Sequence, residues 1–252
     1  MCLVVFAWQV HPNFPLVIAA NRDEFHSRPT QALHWWADEP TLLGGRDLQA
    51  GGTWFAVARN GRIATVTNYR ESHTRQTSRR SRGELVTQFL TGEKAPNDYA
   101  SNIPSDNYAG FNLLVADQNE LCYLSNRGDA PKTLEPGIYG LSNESLDTPW
   151  WKLEQTRMAL EKLIAENRVN ETTLLRMMAN KEKAPVDDVQ AGPLPFEIGR
   201  ALTAPFIVTP EYGTRCTSVL LRHQNGQTAV AERRFNASGK STGDSSFSFV
   251  ER

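Results

Sequence analysis

The sequence predicts an α+β protein in which two antiparallel sheets pack face to face with helices on the outside. Two observations predict it: strand-like runs come in pairs joined by short polar turns, and the helical segments fall into two groups between these pairs. Paired neighbouring runs are typical of antiparallel hairpins. Because each sheet must cover its apolar face, two packed sheets with outer helices satisfy this order. We expect residues 1–252 to form one domain.

Four hairpins account for most of the predicted strands. The first turns at residues 11–15, where two prolines and an asparagine interrupt regular structure. The second and fourth contain an Asn-Gly pair, in which both residues are expected to adopt positive φ. Written as pairs of strands, the hairpins are 2–10 with 16–20, 54–59 with 62–68, 111–116 with 120–126, and 214–222 with 228–235. Residues 137–142 predict a further strand, and 246–250 alternate as an edge strand does.

Three helices are predicted from their end signals and their apolar spacing. Ser81 and Glu84 have the spacing of a capping box, and Gly92 marks the expected end of that helix. Thr148 and Pro149 predict the start of the longest helix, with the threonine as cap and the proline in the first turn. Residues 171–180 predict the third helix.

Two segments between these elements have features of anion-binding loops. The pairs Gly44-Gly45 and Gly51-Gly52 permit close backbone approach, but no Lys-Ser/Thr pair follows them. Structural turns are therefore favoured there over a phosphate loop. Residues 70–82 contain five arginines against one glutamate, a local charge of +4. A solvated loop is the favoured interpretation of this segment, and an anion-binding lid is the alternative.

Composition and charge exclude several functional classes. The net charge is −1, which gives no electrostatic reason to expect a general nucleic-acid binder. A hydrophobic content of 40% is ordinary for a folded globular protein. No apolar run approaches the roughly 20 residues that span a bilayer. The apolar start, residues 2–10, lacks the basic residues and cleavage site of a signal peptide, so a cytoplasmic location is expected.

The cysteines do not indicate a disulfide framework or a metal site. Cys2, Cys122 and Cys216 are an odd and widely spaced set without a CxxC motif. A zinc site would require more ligands at short spacing. We therefore expect three free thiols and no bound metal.

Cys2 is the residue that most strongly suggests chemistry. Removal of the initiator methionine, which a small second residue favours, would place a thiol and a free α-amine on the same residue. With a pKa of about 7.7–8, that amine can act as a general base near neutral pH. The adjacent thiol then becomes a nucleophile without a histidine. The alternative is that Cys2 is an ordinary buried strand residue.

Asp23 strengthens the catalytic interpretation of Cys2. It belongs to the polar run Asn21-Arg22-Asp23-Glu24, which directly follows the second predicted strand. A hairpin that turns near residues 11–13 brings the ends of its two strands together, so Asp23 can hydrogen-bond the new terminal amine. A solvated polar turn is the alternative interpretation of this run.

These residues resemble those of a known family. The start Met1-Cys2-Leu3 followed by Asn21-Arg22-Asp23-Glu24 is similar to the NRDE family, also known as the transport and Golgi organization protein 2 family. The resemblance runs from the first residue to about position 235. Its further motifs are Gly44-Gly45-Arg46-Asp47, Gly51-Gly52-Thr53-Trp54, Thr67-Asn68-Tyr69-Arg70, Gly140-Leu141-Ser142-Asn143 and Tyr212-Gly213-Thr214-Arg215.

The resemblance implies an N-terminal nucleophile hydrolase fold with four layers in the order α, β, β, α. Cysteine enzymes similar to this pattern include penicillin V acylases, bile salt hydrolases and acid ceramidase, which cleave linear amides. By that resemblance Cys2 is the nucleophile, its amine is the base and Asp23 orients the amine. The other implied catalytic residues are Asn68 and Asn143 near the oxyanion or the amine, and Arg215 beside the thiol. Candidate ligand-binding residues are Asn21, Arg22, Glu24 and Arg70.

One position departs from the acylase pattern. Ala20 stands where those enzymes carry an arginine three residues before the aspartate, and Arg22 is expected to point away from that place or to be shifted from it. Arg215 is the residue expected to compensate.

The function predicted from these residues is hydrolysis of a linear non-peptide amide through an acyl-thioester on Cys2, with no required cofactor. The alternative is a non-catalytic protein that binds or transports heme or acyl-CoA, ligands to which the family has been linked. Covalent heme attachment is not predicted because CxxCH is absent. The expected partner is thus a small molecule, with no nucleic acid and no membrane span.

Overall fold

The computed structural model describes residues 2–70, 80–128, 130–189 and 194–251, and their strands form two antiparallel sheets. Most of the predicted arginine-rich loop, residues 71–79, lies outside these ranges. In spatial order the first sheet contains β10 (Gly137–Leu141), β1 (Cys2–Trp8), β2 (Leu16–Phe25), β11 (Tyr212–Arg222), β12 (Gln227–Phe235) and β13 (Ser241–Val250). The second contains β3 (Thr30–Trp35), β4 (Leu42–Asp47), β5 (Phe55–Ala58), β6 (Ile63–Asn68), β7 (Phe111–Ala116), β8 (Leu121–Ser125) and β9 (Lys132–Thr133).

Helices cover the outer faces of both sheets. Two of them, α1 (Gly83–Thr91) and α2 (Pro96–Ser101), pack on the second sheet. Two others, α3 (Trp151–Ala165) and α4 (Glu171–Met178), pack on the first. A short helix, α5 (Phe196–Ala201), precedes β11, and single 3₁₀ turns occur at Ser105–Asn107 and Val186–Asp188. Among the described residues, no helix has the length and apolar character needed to cross a membrane.

Alternation along β1 shows how one strand serves two hydrophobic cores. Val4 and Phe6 pack between the two sheets, whereas Leu3 and Val5 pack under α3 and α4. Successive strand side chains point to opposite faces, so a nearly continuous apolar run is required where both faces are covered. The second sheet meets α1 and α2 through a third core. The predicted α+β fold of two antiparallel sheets with helices outside is confirmed.

The starts of α1 and α3 differ from the predicted ones, whereas α4 begins at Glu171 as predicted. In front of α1, Arg82 takes the cap position with helical backbone angles and makes no side-chain cap hydrogen bond. Ser81 Oγ instead accepts from the Gly83 amide at 3.3 Å, while Glu84 pairs with Arg80. The predicted Thr148 cap is also wrong, because α3 begins at Trp151 with Trp150 before it. These signals were read from side-chain types alone, and the packing of the preceding loops decides where each helix starts.

Two turn predictions are also corrected. Gly44 and Gly45 lie inside β4 rather than in a turn, and a Cβ on Gly44 would lie 2.7 Å from Cβ of Ala56. Glycine there permits neighbouring strands to pack closely. In the Asn60-Gly61 and Asn225-Gly226 turns only the glycine has positive φ, at 81° and 79°, so both turns differ from the predicted form.

Candidate functional site

The first hairpin brings Cys2 to the residues predicted to act with it. Cys2 is the first residue of β1 and is paired with Arg22 of β2, so Asp23 lies next to this pair. The half-buried Cys2 lines a cavity of about 350 Å³. Other side chains around this cavity are mostly polar: Arg22, Asp23, Glu24, Arg28, Asp47, Thr53 and Asn68.

Asp23 is held as a buried carboxyl group, with only 2% of its surface exposed. Thr214 on the adjacent β11 donates its Oγ1 hydrogen to Asp23 Oδ1 at 2.7 Å. The Tyr212 hydroxyl donates to the Asp23 carbonyl, also at 2.7 Å. Burial raises the pKa of Asp23, and the positive charge of Lys152 acts in the opposite direction. The Thr214 bond orients the carboxyl group, and the Tyr212 bond holds the main chain of the same residue.

Arg22 lies on the same face of β2 as Ala20, which corrects the expectation that strand alternation separates them. Its guanidinium carbon is 4.3 Å from the centre of the Trp54 ring, and its Nη2 is 3.6 Å from Asp47 Oδ2. Asp47 also accepts from Nε of Arg28 at 2.7 Å. Asp47 and Trp54 are therefore the residues that hold Arg22, a function the sequence motifs did not reveal.

The ionisation of Cys2 is set by opposing effects. Burial raises the pKa of the Cys2 thiol, and the negative charge of Asp23 adds to that increase. The main-chain amide of Asp23 and the positive charge of Arg22 lower it. The arginine that acts on the thiol is thus Arg22, from the strand paired with Cys2.

Arg215 lies at an irregularity in the sheet. The register of β11 against β2 shifts between Thr214 and Cys216, which makes Arg215 the extra residue of a β-bulge. Its Nη1 donates to the carbonyls of Phe25 at 2.7 Å and Arg28 at 3.1 Å. The guanidinium of Arg215 thus binds the end of β2 and the turn that follows it, and its predicted contact with the thiol stays a prediction.

Two asparagines and a serine connect β1, β6 and β10 beside Cys2. Ser142 Oγ donates to the Cys2 carbonyl at 2.9 Å. Asn143 is buried and donates its Nδ2 hydrogen to the Asn68 carbonyl at 2.7 Å. Asn68 is exposed and lines both the Cys2 cavity and a second, larger one. Asn68 therefore lies where the two cavities meet, and Asn143, which bonds to it, lines the second cavity.

The predicted ligand-binding residues are distributed unevenly. Glu24 lines the Cys2 cavity, and its Oε2 is 3.9 Å from Arg28 Nε. Asn21 points to the helix side of β2, where Nδ2 donates to the carbonyls of Met178 and Pro205, each at 2.9 Å. Its Oδ1 accepts from Thr217 at 2.6 Å. These hydrogen bonds hold β2 to Met178, Pro205 and Thr217, which is a structural role. Ligand contact by Asn21 stays a prediction.

The second cavity is an apolar groove of about 660 Å³ that begins at Asn68 and Asn143. Three of its apolar side chains are exposed: Phe25 at 54%, Leu194 at 43% and Ile198 at 37%. Its remaining apolar lining is Pro195, Leu202, Pro210 and the ring of Tyr212. Arg70, Leu194 and Leu202 are shared with a third cavity of about 660 Å³.

Lys152, at the start of α3, is a site residue that sequence analysis missed. It is 1% exposed and lines the third cavity. Burial lowers the pKa of Lys152, against the opposing effects of Asp23 and Cys2. No sequence motif marked it, because a lysine in a helix normally lies in solvent. Within the described ranges, no group of three or more His, Cys, Asp and Glu side chains could hold a metal ion.

Comparison with known proteins connects this site to a family. The profile of the family described as Transport and Golgi organisation 2 matches residues 1–237. The chain belongs to this family. Transport and Golgi organization protein 2 homologs from Bos taurus and Homo sapiens are each 33% identical to it, with 92% of both chains covered. The Drosophila melanogaster protein of that name is 24% identical, covering 88% of this chain and 87% of its own.

The fold of this Transport and Golgi organisation 2 family member is also found in a solved structure. The Caenorhabditis elegans ortholog of N-acylethanolamine-hydrolyzing acid amidase superimposes with a TM-score of 0.53. The match covers 87% of this chain and 92% of the amidase at 10% identity. At that identity the likeness shows the fold alone, which is that of the N-terminal nucleophile hydrolases.

Proposed function

We propose that this member of the Transport and Golgi organisation 2 family is a cysteine amidohydrolase that cleaves a linear, non-peptide amide through an acyl-thioester on Cys2. One observation carries the proposal: Cys2 opens onto a polar cavity beside a buried, hydrogen-bonded Asp23. The proposal requires removal of Met1, which frees the α-amine of Cys2. The terminal nitrogen then belongs to Cys2. Cys2 is paired with Arg22 across the two strands, and Asp23 is the residue that follows Arg22.

The proposed reaction has two stages. The α-amine takes the thiol proton, the sulfur attacks the amide carbonyl, and the amine returns the proton to the departing nitrogen as the C–N bond breaks. Water then attacks the thioester and gives its proton to the same amine, which releases the carboxylic acid and restores the thiol. Asp23 orients the amine in both stages. One Asn143 amide hydrogen is used by Asn68, and the second is available to a developing oxyanion.

The groove supports an apolar acyl group as the part of the substrate that is recognised. It starts at the two asparagines near Cys2 and continues along Phe25, Ile198 and Leu202. Burying a chain of methylenes there contributes about 0.8 kcal/mol for each CH₂ removed from water. The solved amidase of the same fold hydrolyses N-acylethanolamines, so fatty-acyl amides are the first substrates to assay.

The test combines mass spectrometry, alkylation and hydrolysis. Intact mass should show the loss of Met1, and iodoacetamide should modify Cys2 faster than the buried Cys122 and Cys216. Hydrolysis of N-acylethanolamines should rise with acyl-chain length and disappear in Cys2→Ala, while Cys122→Ser remains active. A protein that retains Met1 and has an unreactive Cys2 would end the amidase proposal.

The same groove favours one second candidate, a carrier of heme or acyl-CoA that does not turn over its ligand. The favouring observation is the exposed apolar wall with the cationic Arg70 at its end. Hemin titration followed by Soret absorbance, and binding of acyl-CoA, should then be weakened by Phe25→Ser and unaffected by Cys2→Ala. Binding that ignores Phe25→Ser would contradict a specific carrier site in this groove.

A further inference from the structure

The start of α3 forms one wall of the third cavity. Pro149, Trp150, Trp151 and Lys152 all line this cavity. No side-chain hydrogen bond caps the helix at Trp150, and the helix is 15 residues long. The N-terminus of such a helix carries the positive end of its dipole and attracts anions. The backbone of this wall therefore favours a negatively charged ligand.

Two buried donors on the same wall have no hydrogen-bond acceptor among the described residues. One is Nζ of Lys152, a residue with 1% of its surface exposed, and the other is Nε1 of Trp151. Burying such groups without acceptors is costly, and burial lowers the pKa of Lys152. The negative charge of Asp23 favours the ammonium form of Lys152 without a hydrogen bond to Nζ. An anion in the cavity would supply the acceptors that both donors lack.

The other charged groups around the cavity indicate the charge that its ligand carries. Arg70 is 6.0 Å from the centre of the Trp150 ring, and Nζ of Lys152 is 5.9 Å from the same point. The half-buried Glu154 and the exposed Asp188 also line the cavity. These two acids oppose an anion, but solvent screens them more than it screens the buried Lys152. The balance favours an anion with a single charge.

The third cavity continues into the apolar groove, because Arg70, Leu194 and Leu202 line both. One elongated molecule can therefore occupy the two together, with a hydrocarbon chain in the groove and its head group in the cavity. We propose that the third cavity binds the carboxylate of a long-chain amphiphile through Lys152 Nζ, Trp151 Nε1 and the start of α3. The two oxygens of a carboxylate match the two unused donors. This binding site goes beyond the proposed hydrolysis, since it requires no reaction at Cys2.

The test compares laurate with 1-dodecanol, which has the same chain length and no charge, by isothermal titration calorimetry. The wild-type protein should bind laurate roughly tenfold more tightly, the effect of one hydrogen bond to a charged group. Lys152→Met should lose this preference and keep its affinity for 1-dodecanol. Lys162→Met, on the same helix with 73% of its side chain exposed, is the matched control and should keep the preference. Equal wild-type affinities, or a preference that survives Lys152→Met, would overturn the inference.

A second variant keeps the test decisive if Lys152→Met does not fold. Trp151→Phe removes only the indole N–H donor and should reduce the preference for laurate severalfold. An unchanged preference in that variant would then refute the site. Cys2→Ala should bind laurate as the wild type does. A wild-type protein that prefers laurate but hydrolyses no amide would contradict the proposed hydrolase and support the carboxylate site.

Discussion

Arg22 is held by contacts of a kind that also occur at Arg46, which does not line the Cys2 cavity. Its guanidinium lies over Trp54 and near Asp47, whereas Arg46 lies over Trp36 at 4.2 Å and pairs with Asp38 at 2.6 Å. The difference is position, because Arg22 is paired with Cys2 across the strands. Arg46 does not line the Cys2 cavity, so a comparison of the two variants tests whether the Arg22 charge acts on the thiol.

We predict that Arg22→Met lowers the rate of Cys2 alkylation at neutral pH by less than about tenfold, the effect of one full pKa unit, because the positive charge of Arg22 lowers the pKa of the thiol and its loss raises that pKa. Arg46→Met should leave the rate unchanged. The measurement is peptide-mapped iodoacetamide labelling at several pH values. Equal rates for wild type and Arg22→Met would show that the Arg22 charge does not act on Cys2.

Asp23 leads to a second prediction at this scale. Asp23→Ala should slow acyl-enzyme formation by a factor of roughly 10²–10⁴, the usual effect of a positioned acid–base element. Single-turnover kinetics with an amide substrate would measure it. Asp38→Ala removes an aspartate from an exposed ion pair and should have no effect. Unchanged acylation in Asp23→Ala would remove Asp23 from the mechanism.

At the scale of elements, the turn between β1 and β2 determines which residues meet. The length of this turn fixes the register of the two strands, with seven residue pairs from Cys2–Arg22 to Trp8–Leu16. His11 is part of this turn, is 5% exposed, and accepts at Nδ1 from the Asn13 amide at 3.1 Å.

A second element, the β-bulge at Arg215, lets Thr214 face Asp23 while Cys216 faces Arg22.

Burial lowers the pKa of His11 from its ordinary value of 6.5. The folded protein therefore binds fewer protons here than the unfolded chain does. The contribution of His11 to stability is complete above pH 6.5 and is lost as the pH falls through its lowered pKa. Urea unfolding at pH 7.5 and pH 5 should show this loss.

His11→Asn should have a smaller difference in unfolding free energy between the two pH values. His34→Asn, which removes a half-buried imidazole from β3, serves as the control and should retain the wild-type difference. If His11→Asn retains it too, another group is responsible.

At the scale of the molecule, a buried ion pair joins the two sheets at the end away from Cys2. Arg222 of β11 donates its Nε hydrogen to Glu251 at 2.9 Å, and the two side chains are 5% and 3% exposed. Arg222 also donates to the carbonyls of Asp117 and Gly61, which belong to turns of the second sheet. Glu251 follows β13, so the pair also holds the end of the last strand.

Removal of one partner should leave an uncompensated buried charge. Glu251→Ala is expected to lower the free energy of unfolding by about 3–5 kcal/mol. Asp244→Ala breaks an exposed pair with Arg233 and should cost at most about 1 kcal/mol. Chemical denaturation measures both. Similar small losses in the two variants would mean that the Arg222–Glu251 pair does not hold the sheets together.

Much of the architecture was predictable from short stretches of sequence. Four hairpins have apolar runs separated by turn residues: β1 with β2, β5 with β6, β7 with β8, and β11 with β12. These signals are local in the sequence. By contrast, β3 and β4 were missed, since Gly44 and Gly45 indicate a turn until the neighbouring Ala56 and Trp54 are in place. The predicted starts of α1 and α3 failed for the same reason, because loop packing overrides the preference of a capping side chain.

The sequence by itself determined the pairing of residue 2 with the end of the second strand, because strand length and turn position fix the register of a hairpin. It also determined the family, through motifs spread along the chain. Only the tertiary structure decided which charges surround Cys2. Arg22 meets Trp54 and Asp47 across the two sheets, and Lys152 is buried in the interior by a helix that lies more than a hundred residues further along the chain. Contacts between distant segments leave no periodic trace in a sequence, and the groove beside Cys2 is formed entirely by such contacts.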